Sequence, residues 1–153
     1  MSEVDVAGTA LDTSVVIAAL LSWHEHHEVA LPTVQQALAQ PDGAILPLPA
    51  LIESYSVMTR LPPPSRLAPQ DAHALLVRTF SEARIVSLDG GEGWELIDGL
   101  ARHQIAGGTA YDGQIVACAR KAGADRIATF NPRHFARLDL GEIELVVPTK
   151  EVA

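Results

Sequence analysis

Asp12, Glu53, Asp112 and Asn131 are the side chains whose types and settings suit chemistry. Each also has a plainer use. Asp12, in A-L-D-T-S, suits a helix cap, although Thr13 and Ser14 suit it equally. Glu53 sits in LPLPALIESYSVM, beside a helical face made by Ala50, Ser54, Val57 and Leu61. A carboxylate there is partly buried unless something pairs it or it escapes to solvent. Asp112 follows Thr109 at capping-box spacing. Asn131-Pro132 is an ordinary turn dipeptide. All of these plain uses would have to hold at once. Gathered in one place, the carboxylates would repel one another unless protons or a metal offset their charge. Mg²⁺ and Mn²⁺ take such oxygen ligands and keep several waters. The expected chemistry is attack on a phosphate by water of lowered pKa, with stabilised charge on the phosphoryl oxygens. A second ion, where present, would serve the leaving oxygen. No cysteine or histidine nucleophile is required.

The elements that must position these groups alternate. Strands are expected at Ala7 to Leu11, Ala44 to Leu48, Arg84 to Leu88, Arg126 to Thr129 and Glu144 to Val147. Helices are expected at Val15 to Leu21, Glu28 to Gln40, Pro49 to about Leu61, Pro69 to Phe80, Trp94 to His103 and Thr109 to Ala122. Pro62-Pro63-Pro64 and Gly107-Gly108 break the chain, Asp89-Gly90-Gly91-Glu92-Gly93 reads as a turn, and Gly123 suits a helix stop. The pattern is that of an α/β domain with a parallel sheet covered on both faces. Ligands of such sheets bind beyond the carboxyl ends of the strands. Asp12 directly follows the first strand there, Asn131 comes after the fourth, and Glu53 and Asp112 fall in the first turns of neighbouring helices.

With 153 residues, 48% hydrophobic and 20% charged, the chain has the size and composition of one folded domain over 1–153. The single cysteine, Cys118, excludes a disulfide framework or a multi-thiolate zinc site, and suits burial as a small apolar group. A formal charge of -8 excludes a whole-surface grip on nucleic acid and leaves a local basic patch or a metal bridge. The apolar run Val15 to Leu21 is too short to span a membrane, and MSEVDVAGTA lacks the features of a signal peptide. The expected location is the cytoplasm.

Other groups carry weaker signals. His24, His26 and His27 lack the spacing of a transition-metal site and read as a polar loop. The glycines at 90–93 match no phosphate-binding fingerprint. Trp23 and Trp94 could stack bases, but suit core or dimer packing better; Glu95 and Asp98 suit a solvated helix face. A phosphate-receiving signalling domain is a rival reading. It would need Asp89 as acceptor, a late lysine (Lys121 or Lys150) and an acid paired with Asp12, for which Asp5 lies too far upstream.

Taken in order, ALDTSVVIAAL, HEHHEVA, PALIESYSVMTRL and GGTAYDGQIVACARKAGADRIATFNPRHF resemble the PIN domain family, and more narrowly the VapC-type toxins of bacterial toxin–antitoxin pairs. The resemblance covers nearly the whole chain. It implies a Rossmann-like, three-layer α/β/α sandwich with a central, mainly parallel sheet, and a metal-dependent endoribonuclease. Asp12, Glu53 and Asp112 match the acidic ligands for Mg²⁺, with Mn²⁺ substituting. Asn131 stands where many members carry an aspartate, which removes one negative charge but keeps an oxygen able to ligate or to orient water. Also implied are an RNA substrate, a homodimer, and a cognate antitoxin whose C-terminal segment blocks the site, often with an arginine. Arg120, Lys121 and Arg133, in a segment whose one acid is Asp125, are the expected phosphate contacts. The departure at Asn131 keeps open a non-catalytic partner-binding module of the same fold.

Overall fold

Each strand is a run of three residues: β1 Thr9–Leu11, β2 Ile45–Pro47, β3 Arg84–Val86, β4 Arg126–Ala128 and β5 Glu144–Val146. The structure, a computed structural model, describes residues 8–150. Ala7 and Asp5 therefore lie outside the described residues. The strands form one sheet in the order β3-β2-β1-β4-β5, with every pairing parallel. β1 is central and wholly buried, which suits its small and aliphatic residues. The chain moves outward from β1 to β2 and β3, then returns to lay β4 on the other side of β1. That reversal opens a crevice at the carboxyl ends of β1 and β4. Leu11 is in register with Ala128, so the next residue of each strand, Asp12 and Thr129, stands at the crevice mouth.

The helices are α1 Thr13–Leu20, α2 His27–Ala39, α3 Leu48–Thr59, α4 Pro69–Phe80, α5 Gly90–Arg102 and α6 Thr109–Lys121. α1 is apolar around most of its circumference because it is enclosed: it packs on α2 and α3, and α3 packs on α4. α5 and α6 pair separately, and α6 also lies against β2, β3 and β4. This is the expected α/β/α arrangement. Leu11, Ile45, Leu46, Ile127 and Phe135 are fully buried in the core. Each contributes about 1.5–3 kcal/mol by leaving water. Cys118 is buried as expected. No helix among the described residues is long and apolar enough to cross a membrane.

The glycines at 90–93 are the first turn of α5, not a turn before it. Asp89 Oδ1 accepts the Glu92 N–H at 2.8 Å, and Glu92 Oε1 accepts the Asp89 N–H at 2.9 Å. This reciprocal cap outweighs the poor helix propensity of glycine, about 1 kcal/mol per residue. At the far end of α6, Gly123 adopts φ +76 as expected. Its N–H bonds to Arg120 O, and the Ala124 N–H bonds to Ala119 O, which closes the helix.

Candidate active site

Asp12 extends the β1–β4 ladder, its N–H donating to Ala128 O at 3.0 Å. It occupies the N-cap position of α1, yet its side chain does not cap that helix. Instead Oδ2 accepts from Thr129 Oγ1 at 2.7 Å and from Ser14 Oγ at 3.1 Å. Both hydroxyls are themselves oriented: Thr129 Oγ1 accepts the Asn131 N–H at 2.9 Å, and Ser14 Oγ accepts the Phe130 N–H at 3.0 Å. A hydroxyl that accepts from backbone has its proton left to donate. The Asp12 carboxylate is thus held by two hydroxyls that are themselves oriented by the N–H groups of Phe130 and Asn131.

Asp112 lies in the first turn of α6, behind Gly108 at the N-cap position, and no side chain caps that end. The capping pair that Thr109 and Asp112 could have formed is therefore not made. Glu53 is in the second turn of α3 rather than the first, because the helix starts at Leu48. It is exposed, and its Oε1 accepts from Thr13 Oγ1 at 2.9 Å. Asn131 is exposed beside them. These four side chains line one cleft of about 460 Å³, along with His24, His26 and His134.

Burial, above all, pushes the Asp12 carboxyl above the ordinary aspartate range. The Thr129, Ser14 and Thr13 hydrogen bonds oppose that rise, and the charge of Glu53 adds to it. Asp112 is also raised, first by burial and then by the charge of Asp12; His134 opposes and Glu53 adds. The folded protein therefore holds these protons more tightly than the unfolded chain does. In divalent-ion-free buffer their contribution to stability is complete below the unfolded value of about 4. It is lost as pH rises through the raised folded values. Urea unfolding of wild type and Asp112→Asn across that window checks the sign. The variant should gain on wild type as pH rises, and a flat or opposite difference would refute the repulsion.

The donor set fits a hard divalent cation: carboxylate and amide oxygens, mutually repelling, in a polar cleft. Among the described residues no three His, Cys, Asp or Glu side chains form a ready-made cage. An ion held by this set would keep waters in its shell.

The basic residues are divided. Arg120 Nη2 donates to Asp139 O at 2.7 Å, and Lys121 Nζ pairs with Glu92 Oε1 at 2.6 Å while donating to Ser87 O. Both line a different cavity, of about 570 Å³, beside α5 and α6. The reason is helical rise: they lie eight and nine residues beyond Asp112, or about 12–14 Å further along α6. Neither is placed to hold a strand in the acidic cleft. Arg133 is exposed on the 3-10 turn Pro132–Phe135, between two residues that line the cleft. Trp23 and Trp94 are 58% and 74% exposed, so neither is a core residue. The phosphate-receiver reading fails, since Asp89 is committed to its cap and Lys121 to Glu92.

The PIN domain family profile matches residues 9–140. Ribonuclease VapC40 of Mycobacterium tuberculosis is 40% identical over 115 residues, covering 75% of this chain and 81% of that protein. Ribonuclease VapC27 of the same species is 36% identical over 124 residues, covering 81% and 85%. The fold is similar to that in the crystal structure of DNA-bound VapBC from Salmonella typhimurium, with a TM-score of 0.63, 19% identity and coverage of 92% and 98%.

Proposed function

Since the chain belongs to the PIN domain family, we propose that it is a metal-dependent endoribonuclease, the toxin of a VapBC-type toxin–antitoxin pair. One observation carries this reading. Asp12 and Asp112, far apart in the sequence, face one cleft at the sheet's switch point, and the charge of Asp12 adds to the burial that raises the Asp112 carboxyl. Ribonuclease relatives at 40% and 36% identity support the substrate class.

Asp12 and Asp112 would hold Mg²⁺, with Mn²⁺ substituting. Glu53 would contact the ion or its water and assist proton transfer. Asn131 orients water at the outer shell. The bound cation supplies a more acidic water and neutralises charge on the scissile phosphate. Thr129 and Ser14 fix the Asp12 rotamer, so the carboxylate is in place before substrate arrives. Arg133 is the one expected basic contact that borders the cleft. The remaining partners are a second copy of the chain and a cognate antitoxin that closes the cleft by pairing a cation with these carboxylates. In this reading the PIN domain over residues 9–140 acts in the cytoplasm.

Incubation with single-stranded RNA tests the activity. Cleavage should require Mg²⁺ or Mn²⁺, fall to background in EDTA, and return with excess ion. Cleavage that persists in chelator overturns the metal dependence. No cleavage with either ion, in protein shown to be folded, favours the non-catalytic partner-binding module.

A further inference from the structure

The segment between α1 and α2 carries rings that the acidic cleft itself does not employ. Trp23 and His24 stand with centroids 6.2 Å apart and planes at 30°. His24 and His26 follow at 5.7 Å and 42°. His26 then stacks on Phe130 at 4.5 Å and 17°. Each step falls within the range of offset aromatic pairs. The result is a continuous run of rings between open solvent and the acids. Trp23, at the outer end, is 58% exposed. Phe130, at the inner end, precedes Asn131 and lines the cleft, as do His24 and His26.

The run is set before any ligand arrives. His24 Nδ1 accepts the His26 N–H at 3.0 Å, which leaves the imidazole proton on Nε2. The His24 N–H donates to Leu21 O, and the His27 N–H to His24 O. His27 Nδ1 lies 2.9 Å from Ala18 O, tying the loop to α1. Ring faces held this way lose little conformational entropy when something stacks on them.

Charge decides what that something is. The chain carries -8, the cleft is acidic, and two of the three expected phosphate contacts lie elsewhere. A nucleic-acid strand entering here needs a grip beyond the site's own cation and Arg133. Base–aromatic stacking is such a grip, and it requires bases whose faces are free. Resting on the ribonuclease reading, we propose that Trp23, His24, His26 and Phe130 form a stacking platform. It holds unpaired RNA bases next to the scissile phosphate and selects single strands over duplex.

The chain has two tryptophans, and Trp94 is not among the residues lining the cleft. Trp94→Phe therefore leaves Trp23 as the sole reporter. In EDTA, an unstructured 2′-O-methyl oligonucleotide of about six nucleotides should quench its emission saturably. The same oligonucleotide as a duplex, or with abasic sites throughout, should not. In Mg²⁺, His26→Leu should raise KM for single-stranded RNA about tenfold with little change in kcat, and His26→Phe should restore it. Equal quenching by the abasic strand, or an unchanged KM in His26→Leu, overturns the platform while RNA cleavage by wild type leaves the ribonuclease reading standing. Base-dependent quenching by a protein that cuts no RNA has the converse meaning: the platform holds and the ribonuclease reading fails.

Discussion

Asp112→Asn is expected to lower kcat/KM for RNA cleavage by about a thousandfold or more, with no loss of thermal stability in metal-free buffer. The two halves of this expectation share one cause. Asp112 caps nothing, and its shift comes from burial and neighbouring charge with no hydrogen bond among the causes. The fold gains from this carboxylate only its attraction to His134, and loses more to its burial and its repulsion by Asp12 and Glu53. The amide keeps the volume and removes the charge, so the melting midpoint should hold or rise. Chemistry that needs an anionic ligand would lose it entirely. This is the stability–activity opposition expected of a charge retained for function. RNA cleavage and a thermal melt on the same preparation decide it. Wild-type turnover in the variant removes Asp112 from the machinery, and a collapsed melt makes it structural.

Much of the fold is legible because its elements are punctuated by residues with strong local preferences. α4 runs Pro69–Phe80 as read, since proline opens a helix readily and the periodic apolar residues end at Phe80. The strands were read one or two residues too long. Their apolar runs outlast the ladder, buried at Ala44 but exposed at Leu48 and Val147, so hydrophobicity alone does not mark pairing. Gly90 to Gly93 resembles a turn because glycine alone disfavours helix, while the Asp89–Glu92 cap that holds the helix acts as a pair. The strand order is a tertiary fact. Nothing within β1 or β4 states that they are neighbours.

The candidate site divides along the same line. Asp12, Glu53, Asp112 and Asn131 stand out as polar groups after strands or in helices with apolar faces, so each is visible locally. Ser14 reads in sequence only as a cap candidate and Thr129 only as a strand residue, although both hold Asp12. The Thr129 bond to Asp12 spans 117 residues, and a lone hydroxyl in A-T-F-N-P gives no hint of its partner. Arg120 and Lys121 show the reverse error. They make their segment locally basic, but helical rise carries them to another cavity. His26 was read as one member of a polar loop, because only the folded chain brings Phe130 against its ring.

The cation should reveal itself without any turnover. Wild type stripped with chelator and then given Mn²⁺ or Mg²⁺ should melt higher as the ion is raised through the millimolar range. At a hundredfold excess over Kd the gain is about 2.7 kcal/mol. For a chain of this length that corresponds to roughly 5–10 °C. The sign follows from the site's own electrostatics. Protonation relieves the repulsion between Asp12 and Asp112 at low pH, and a cation relieves it at neutral pH by taking the protons' place. Binding should therefore release protons, and tighten as pH rises through the raised carboxyl values. Asp12→Asn removes the ligand held by Thr129 and Ser14, and should abolish both the melting shift and the proton release. An equal shift in wild type and variant would place the ion elsewhere on an acidic surface. No shift in wild type at millimolar ion would mean that this chain keeps the family's fold and its crowded carboxylates without the cation, as a partner-binding module would.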